Sequence, residues 1–244
     1  MGRFVILTGP SCVGKGPLCA ALERFYPHLY ARLREFIGYN DRPLRPGERD
    51  GVDYHFRTRA EIEGLRGRKG FVVMEVRGDM QAADLGEMER LLTAGDVLFE
   101  GNPFVARVLL DGARAAGAET LSVFLSPLSR DEIAGLRSQG VALDDFVAEV
   151  MRRKLRTRTT KMKGALSPAD LAEIERRATS AFAEMRTAWR FDHVMANHDG
   201  EGSDNWDVLG RPLGDARRTL LAFVDLFEGR VPPAAEKWRE GDPL

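Results

Sequence analysis

Cysteine is nearly missing from this chain: Cys12 and Cys19 are the only two. Without a second pair beside them they exclude a disulfide framework and a cysteine-built metal site, and they read as the reduced thiols of a cytoplasmic protein. Long apolar runs are missing as well, which excludes a membrane-spanning helix. Met1-Gly2-Arg3-Phe4 runs directly into a strand-like stretch, so no signal peptide is expected. No charge of one sign predominates: 36 Lys and Arg stand against 37 Asp and Glu, a formal net charge of −1. A general polyanion binder is thereby excluded, and any basic surface has to be local. Internal repeats and low-complexity tracts are also absent.

What remains is ordinary globular material, 43% hydrophobic and 30% charged over 244 residues, enough to bury a substantial core in a single domain. Strand-like runs fall at 4–8, 54–57, 70–76, 96–100, 121–126 and 193–196. Helical periodicity covers 15–26, 60–65, 81–94, 103–116, 130–137, 143–158, 168–190 and 214–227. This alternation predicts an α/β fold with a largely parallel sheet. Ser167 followed by Pro168 marks a helix start. Two segments read as excursions from the sheet, 36–85 with short β-like pieces and 139–166, helical and basic. The stretch 198–213 reads as a loop, and 230–244, with Pro232-Pro233 and many charges, as a loosely ordered tail.

Gly9-Pro10-Ser11-Cys12-Val13-Gly14-Lys15-Gly16 sits between the apolar run Phe4-Val5-Ile6-Leu7 and the first helix. A glycine-rich turn from strand to helix aims backbone N–H groups and the helix dipole at one point, where an anion fits. Lys15 adds a mobile cation for the outer phosphates of a nucleotide. The pattern wants a hydroxyl next, to ligate Mg²⁺, and the chain has Gly16 there. Cys12 beside Lys15 has the setting of a reactive thiol, but a small residue filling the loop is the simpler role.

Arg42-Pro43-Leu44-Arg45-Pro46-Gly47-Glu48 leads through Asp53-Tyr54-His55-Phe56. Two arginines on proline-stiffened backbone can fork onto one phosphate while a tyrosine hydroxyl donates to it. On charge alone, an exposed basic turn followed by an edge strand explains the same residues.

This segment resembles the GMP-binding signature of the guanylate kinase family. Gly9-Pro10-Ser11, Gly14-Lys15, Glu75, Phe124 to Ser129, Ile174-Glu175-Arg176-Arg177 and Phe191 to Asp199 follow in that family's order, so that the likeness spans about residues 3–228. It implies a P-loop NTPase-type parallel sheet flanked by helices, with a small β-rich NMP-binding subdomain and a helical lid. The single domain would divide into a core of about 1–35, 86–138 and 168–228, an NMP-binding subdomain of 36–85, a basic lid of 139–167 and a tail of 229–244. The activity implied is ATP-dependent phosphorylation of GMP, dGMP or a related nucleoside monophosphate, with Mg²⁺. Gly9, Ser11, Cys12, Val13, Gly14, Lys15 and Gly16 would hold ATP. Arg42, Arg45 and Tyr54 would hold the acceptor phosphate. Glu75 and Glu100 would read the guanine, Glu100 being also a candidate for orienting Mg²⁺; Lys15, Arg177 and Arg137 or an arginine of the lid would neutralise charge in the transfer.

The chain departs from the family in places. Gly38-Tyr39-Asn40-Asp41 replaces a hydroxyl-rich run, and Asp41 would repel a phosphate unless Arg42 or Arg45 paired with it. The residues after Glu75 lack the family's tyrosine and serine, and its acidic pair is reduced to Glu100-Gly101-Asn102. A catalytically silent binding or sensor module, or a kinase of another phosphorylated acceptor, therefore stays open. Between Met151 and Asp170 no acid occurs among Arg152, Arg153, Lys154, Arg156, Arg158, Lys161 and Lys163. A lid over a triphosphate, a solvated helix face and, last, a nucleic-acid surface all fit such a run. The sequence leaves the metal ligands and the oligomeric state undetermined.

Overall fold

The computed structural model describes residues 1–45 and 47–242; Pro46 of the arginine signature and the last two residues of the tail lie outside the described residues. The chain opens on β1 (Phe4–Thr8), all five residues buried, and passes through the glycine loop into α1 (Lys15–Phe25), the short α2 (Pro27–Tyr30) and β2 (Leu33–Glu35). A small β-rich unit follows, with β3 (Tyr39–Asn40), β4 (His55–Phe56), α3 (Arg59–Glu63), β5 (Phe71–Val76) and β6 (Asp79–Asp84). Then come α4 (Leu85–Ala94), β7 (Asp96–Gly101), α5 (Pro103–Ala115), β8 (Thr120–Ser126), α6 (Arg130–Ser138), α7 (Leu143–Lys163) and α8 (Pro168–Met185). The chain closes with β9 (His193–Ala196), α9 (Gly214–Phe227) and β10 (Ala235–Glu236).

The main sheet has six strands in the order β10-β9-β8-β1-β7-β2. Its pairs are parallel except β10 on β9. Central parallel strands are covered on both faces, which is why β1 is a continuous apolar run rather than an alternating one. With β7 and β8 on either side of β1, the loops at their carboxyl ends meet, which is where open α/β sheets bind ligands. The second sheet has the order β4-β3-β6-β5.

Local chemistry accounts for the helix starts. Ser167 and Asp170 form a reciprocal capping box with Pro168 in the first turn of α8, and Ser129 with Glu132 does the same for α6. Ile174, Ala178, Ala181 and Met185 on α8 and Val147, Met151 and Leu155 on α7 enter the main core, so this helical hairpin is bound to the sheet by apolar burial. Full burial of one such aliphatic side chain is worth about 1.5–3 kcal/mol.

The structure corrects several sequence expectations. Residues 81–84 are not the first turn of a helix. They finish β6, whose pairing with β5 and β3 overrides the helix preference of Ala82 and Ala83; α4 begins at Leu85, with the Asp84 carboxylate accepting from the Glu87 amide. The helix expected over 143–158 continues to Lys163. The one expected over 168–190 stops at Met185 and gives way to a single 3₁₀ turn, Ala188–Arg190. The tail is not loose: β10 pairs with β9, and Trp238 is 1% exposed, its indole N–H donating to Glu236.

Candidate active site

The backbone of the glycine loop is held in conformations that side chains resist. Gly9 has φ 142° and Gly14 φ 106°. A Cβ on Gly9 would lie 2.2 Å from the Leu125 carbonyl oxygen, and one on Gly14 2.4 Å from Asn197 Nδ2. Asn197, fully buried after β9, locks the loop by donating from Nδ2 to the Val13 and Asp199 carbonyls, both at 2.7 Å. Trp206 supports it from below, its Nε1 donating to the Gly200 carbonyl at 3.0 Å. The apolar side chain of Val13 is buried in the core, which anchors the loop. Cys12 is 1% exposed, and burial, then the neighbouring Glu201 carboxylate, pushes its thiol up to about 11. That thiol is a filler, as the simpler reading had it.

Gly9, Ser11, Cys12, Lys15 and Gly16 line one side of a cavity of about 700 Å³, and Arg42, Arg45 and Tyr54 line another. Lys15 Nζ rests on the Gly9 and Pro10 carbonyls at 3.2 and 3.1 Å and stands 3.9 Å from Glu100. Burial pushes the Glu100 carboxyl up, and the Lys15 charge opposes that.

Around this cavity the cations are parked on oxygens of the protein. Arg42 grips Glu48 with both nitrogens, at 2.7 and 2.6 Å, and lies over the Tyr54 ring at 5.3 Å. Arg177, 8% exposed on α8, donates from Nη1 to Ser11 at 3.2 Å and from Nε to Glu173. Arg158 of α7 donates to Glu201 at 2.7 Å, leaving its buried Nε without a partner. Arg45 is the least compensated: its guanidinium comes only within 3.9 Å of Glu48 and of Glu173. Burial, then the charges of Arg177, Arg42 and Arg158, bring its pKa down to about 10. Such a convergence of cations is a site for an anion with several oxygens. Tyr54 stays a donor, since burial and then Glu100 hold its phenol above the ordinary value, against the pull of Arg42.

Asp41 does not repel that site. It accepts from the Met80 amide at 2.8 Å and pairs with Arg59 at 3.2 Å, neither of the partners expected.

Four expected residues are not among those lining the cavity: Val13 and Gly14 of the loop, Glu75 and Arg137. Glu75 is exposed and bound to Arg59 at 2.6 Å. Strand alternation is the reason: Met74 is opposite Gln81 and Val76 opposite Asp79, and Gln81 and Asp79 line the cavity, so the intervening Glu75 faces the other way. Arg137 is exposed in the last turn of α6, where a cation meets the negative end of the helix dipole.

Residues that the sequence reading did not assign to the site also stand here, with Arg158, which it counted only within the basic lid. Arg77, Asp79, Gln81, Asn102, Arg158 and Glu201 line the cavity. Asn102 caps α5 through Oδ1, which accepts from the Phe104 amide at 2.8 Å, while its Nδ2 is buried without a partner. Its place ahead of Pro103 fits a helix cap and carries no sign of the free donor.

The basic stretch is mostly neutralised. Arg152 pairs with Glu149 and Glu175, Arg153 with Glu149, Arg158 with Glu201, Lys161 with Asp204 and Lys163 with Asp170. Lys154 donates to the Asn197 carbonyl at 3.0 Å. Acids of α7 itself and of neighbouring segments thus pair with much of the run.

Fold and cavity define a nucleotide-binding α/β protein whose glycine loop and arginine turn face one cavity. No family model matches the chain. Among curated proteins, the guanylate kinase of Thermus thermophilus is 34% identical over 227 residues, 91% of this chain and 81% of the relative. That of Mycobacterium leprae is 33% identical over 189 residues, 75% of this chain and 84% of the relative, and that of Synechococcus sp. 29% over 212 residues, 82% and 77%. The crystal structure of guanylate kinase from Anaplasma phagocytophilum superposes with a TM-score of 0.53 at 16% identity, over 93% of this chain and 85% of that one, a likeness of fold. The chain belongs to the guanylate kinase family.

Proposed function

We propose that the chain transfers the terminal phosphoryl group of ATP to GMP or dGMP, with the loop 9–16 on the donor and Arg42, Arg45 and Tyr54 on the acceptor phosphate. The observation that carries this is the one cavity lined from one side by the loop and from the other by Arg42, Tyr54 and the under-compensated Arg45.

Phosphoryl transfer asks little covalent help of a protein; it needs two anions held in line and cations around the moving group. Arg42 would leave Glu48, and Arg45 its two distant carboxylates, for the acceptor phosphate, a charge-assisted exchange of one oxyanion for another. Lys15 would leave the loop carbonyls for the donor's outer phosphates, and Arg177 and Arg158 would neutralise charge as it spreads over the transferred oxygens. The hairpin of α7 and α8 would be the lid that brings those two arginines in and keeps water out. The free, buried Nδ2 of Asn102 is suited to donate to O6 of guanine, a donor that adenine would leave unpaired.

Mg²⁺ fits these residues. It keeps most of its waters and needs one or two carboxylates beside the substrate's phosphates, and Glu100 supplies one next to Lys15. Open space at Gly16 admits water where a hydroxyl is usual. When bound, the ion would draw charge from the phosphate oxygens it touches.

A coupled assay with GMP, dGMP, AMP, UMP and CMP tests the reading. GMP and dGMP should turn over, and Arg45→Ala should lower kcat/KM for GMP by about 10³-fold; absence of turnover on all five acceptors would sink it.

A further inference from the structure

Arg77 is the first residue of the two-residue turn Arg77-Gly78 between β5 and β6, with φ 55° followed by φ 86°. Glycine or asparagine fills that left-handed position without strain, whereas arginine seldom does. The unusual backbone sends a long side chain off the tip of the small sheet toward the glycine loop. There Nη1 donates to Ser11 Oγ, and Nε lies 3.6 Å from Glu184 Oε1, with the Arg77 side chain only 13% exposed.

Both partners are unusual. Ser11 already accepts from Arg177, so one neutral hydroxyl receives two guanidinium groups. Two charges converging on an uncharged oxygen are poorly compensated, and a phosphate oxygen at the same place would compensate both. Glu184, on α8, is fully buried; Ser180 donates to its Oε1 at 2.9 Å, and Oε2 is buried with no partner. A carboxylate is kept in such a place only with a cation, and the cation within reach is Arg77. The loop itself is one ligand short, with glycine at position 16.

We propose that Arg77 is a ligand of the donor's phosphates, delivered to the loop by the acceptor-binding sheet, and that Glu184 is the residue that positions it. The assignment rests on the reading of loop 9–16 as a nucleoside triphosphate site. On arrival of the triphosphate, Nη1 exchanges Ser11 for a phosphate oxygen while Nε keeps its charge partner. Because the turn belongs to the sheet whose strands β3 and β4 are followed by Arg42 and preceded by Tyr54, occupancy of the loop then holds the acceptor sheet against it.

The test uses the full chain. Arg77→Gly keeps the turn and removes the cation, Arg77→Lys keeps a charge without the fork, and Glu184→Gln removes the positioning charge. Calorimetry with ATP in the absence of acceptor, GMP titration, thermal melting and steady-state kinetics are read for each. Arg77→Gly should bind ATP about tenfold or more weakly, hold GMP within a few-fold, lose about 10²-fold in kcat, and melt below the native temperature because the buried Glu184 loses its cation. Arg77→Lys should recover part of the ATP affinity. Glu184→Gln should lower kcat in the native background and change nothing once Arg77 is glycine. A folded Arg77→Gly with native ATP affinity and kcat overturns the proposal, as does a Glu184→Gln effect undiminished in that background. If Arg77→Gly does not fold, Arg77→Lys with native ATP affinity and native kcat overturns it equally. Should the native chain fail to phosphorylate GMP, the proposed function falls, while the difference in ATP affinity between native chain and Arg77→Gly still decides the role of Arg77.

Discussion

At the scale of single residues, the two glycines that flank Lys15 have opposite reasons to be there. A Cβ at Gly14 meets Asn197 Nδ2 at 2.4 Å and the Asp199 carbonyl at 2.7 Å, groups that lock the loop, and the backbone there is left-handed. Gly14→Ala should therefore cost both stability and nucleotide affinity, with ATP binding weakened about 10²-fold or more in a calorimetric titration. Gly16 has ordinary helical backbone, and a Cβ there would meet nothing within 4 Å. Gly16→Ser should leave kcat equal or higher and lower the Mg²⁺ concentration needed for half-maximal rate; a clear loss of activity would show that position 16 needs a bare backbone.

At the scale of elements, the segment after β9 is tied to two helices through one imidazole. His198 bonds to Asp215 of α9 through Nδ1, and its Nε2 lies 2.8 Å from Glu132 of α6. Burial alone would lower its pKa, but the bonds to Asp215 and Glu132 raise it above the ordinary value. A raised folded-state value means that the contribution to stability is complete below the unfolded pKa of about 6.5 and is lost as pH rises through the folded value. The melting temperature of the native chain should fall relative to that of His198→Gln between about pH 6 and pH 9, and parallel pH profiles would refute the linkage. α8 ties the units together in a second way, through Glu173 to Arg45, Arg176 to Asp79 and Glu184 to Arg77. Each joins the helix to the segment 36–85, so the position of the helix and that of the small sheet are coupled by charge.

At the scale of the whole molecule, the chain closes its own sheet edge. β10 covers β9, and the Trp238 indole is 1% exposed. Trp238→Ala should destabilise the fold by about 3–5 kcal/mol in denaturant unfolding, by the usual cost of emptying a large aromatic site; a change under about 1 kcal/mol would mean that the tail is dispensable.

Most of this protein's plan was legible locally. Strands β1 and β9 and helix α9 fall where their patterns place them, because a buried parallel strand and an amphipathic helix are written in consecutive residues. The glycine loop and the pair Arg42 and Arg45 with Tyr54 are legible for the same reason: each is a contiguous run whose chemistry is local. β6 was not, since Ala82 and Ala83 prefer helix until β5 and β3 pair with them. Nor was β10, whose only advance sign is a tryptophan among charges and prolines.

The sequence by itself determined that a phosphate loop and an arginine turn exist, and that strands alternate with helices. Only the tertiary structure decided what stands around them. It turned Glu75 outward by strand alternation, stranded Arg137 at a helix end, brought Arg77 and Arg158 to the loop, and paired Arg152, Arg158 and Lys161 of the basic run with the sequence-distant Glu175, Glu201 and Asp204. Local patterns are set by neighbours along the chain. Which charges share a cavity depends on register, helix phase and long-range pairing, and no single stretch of sequence contains those.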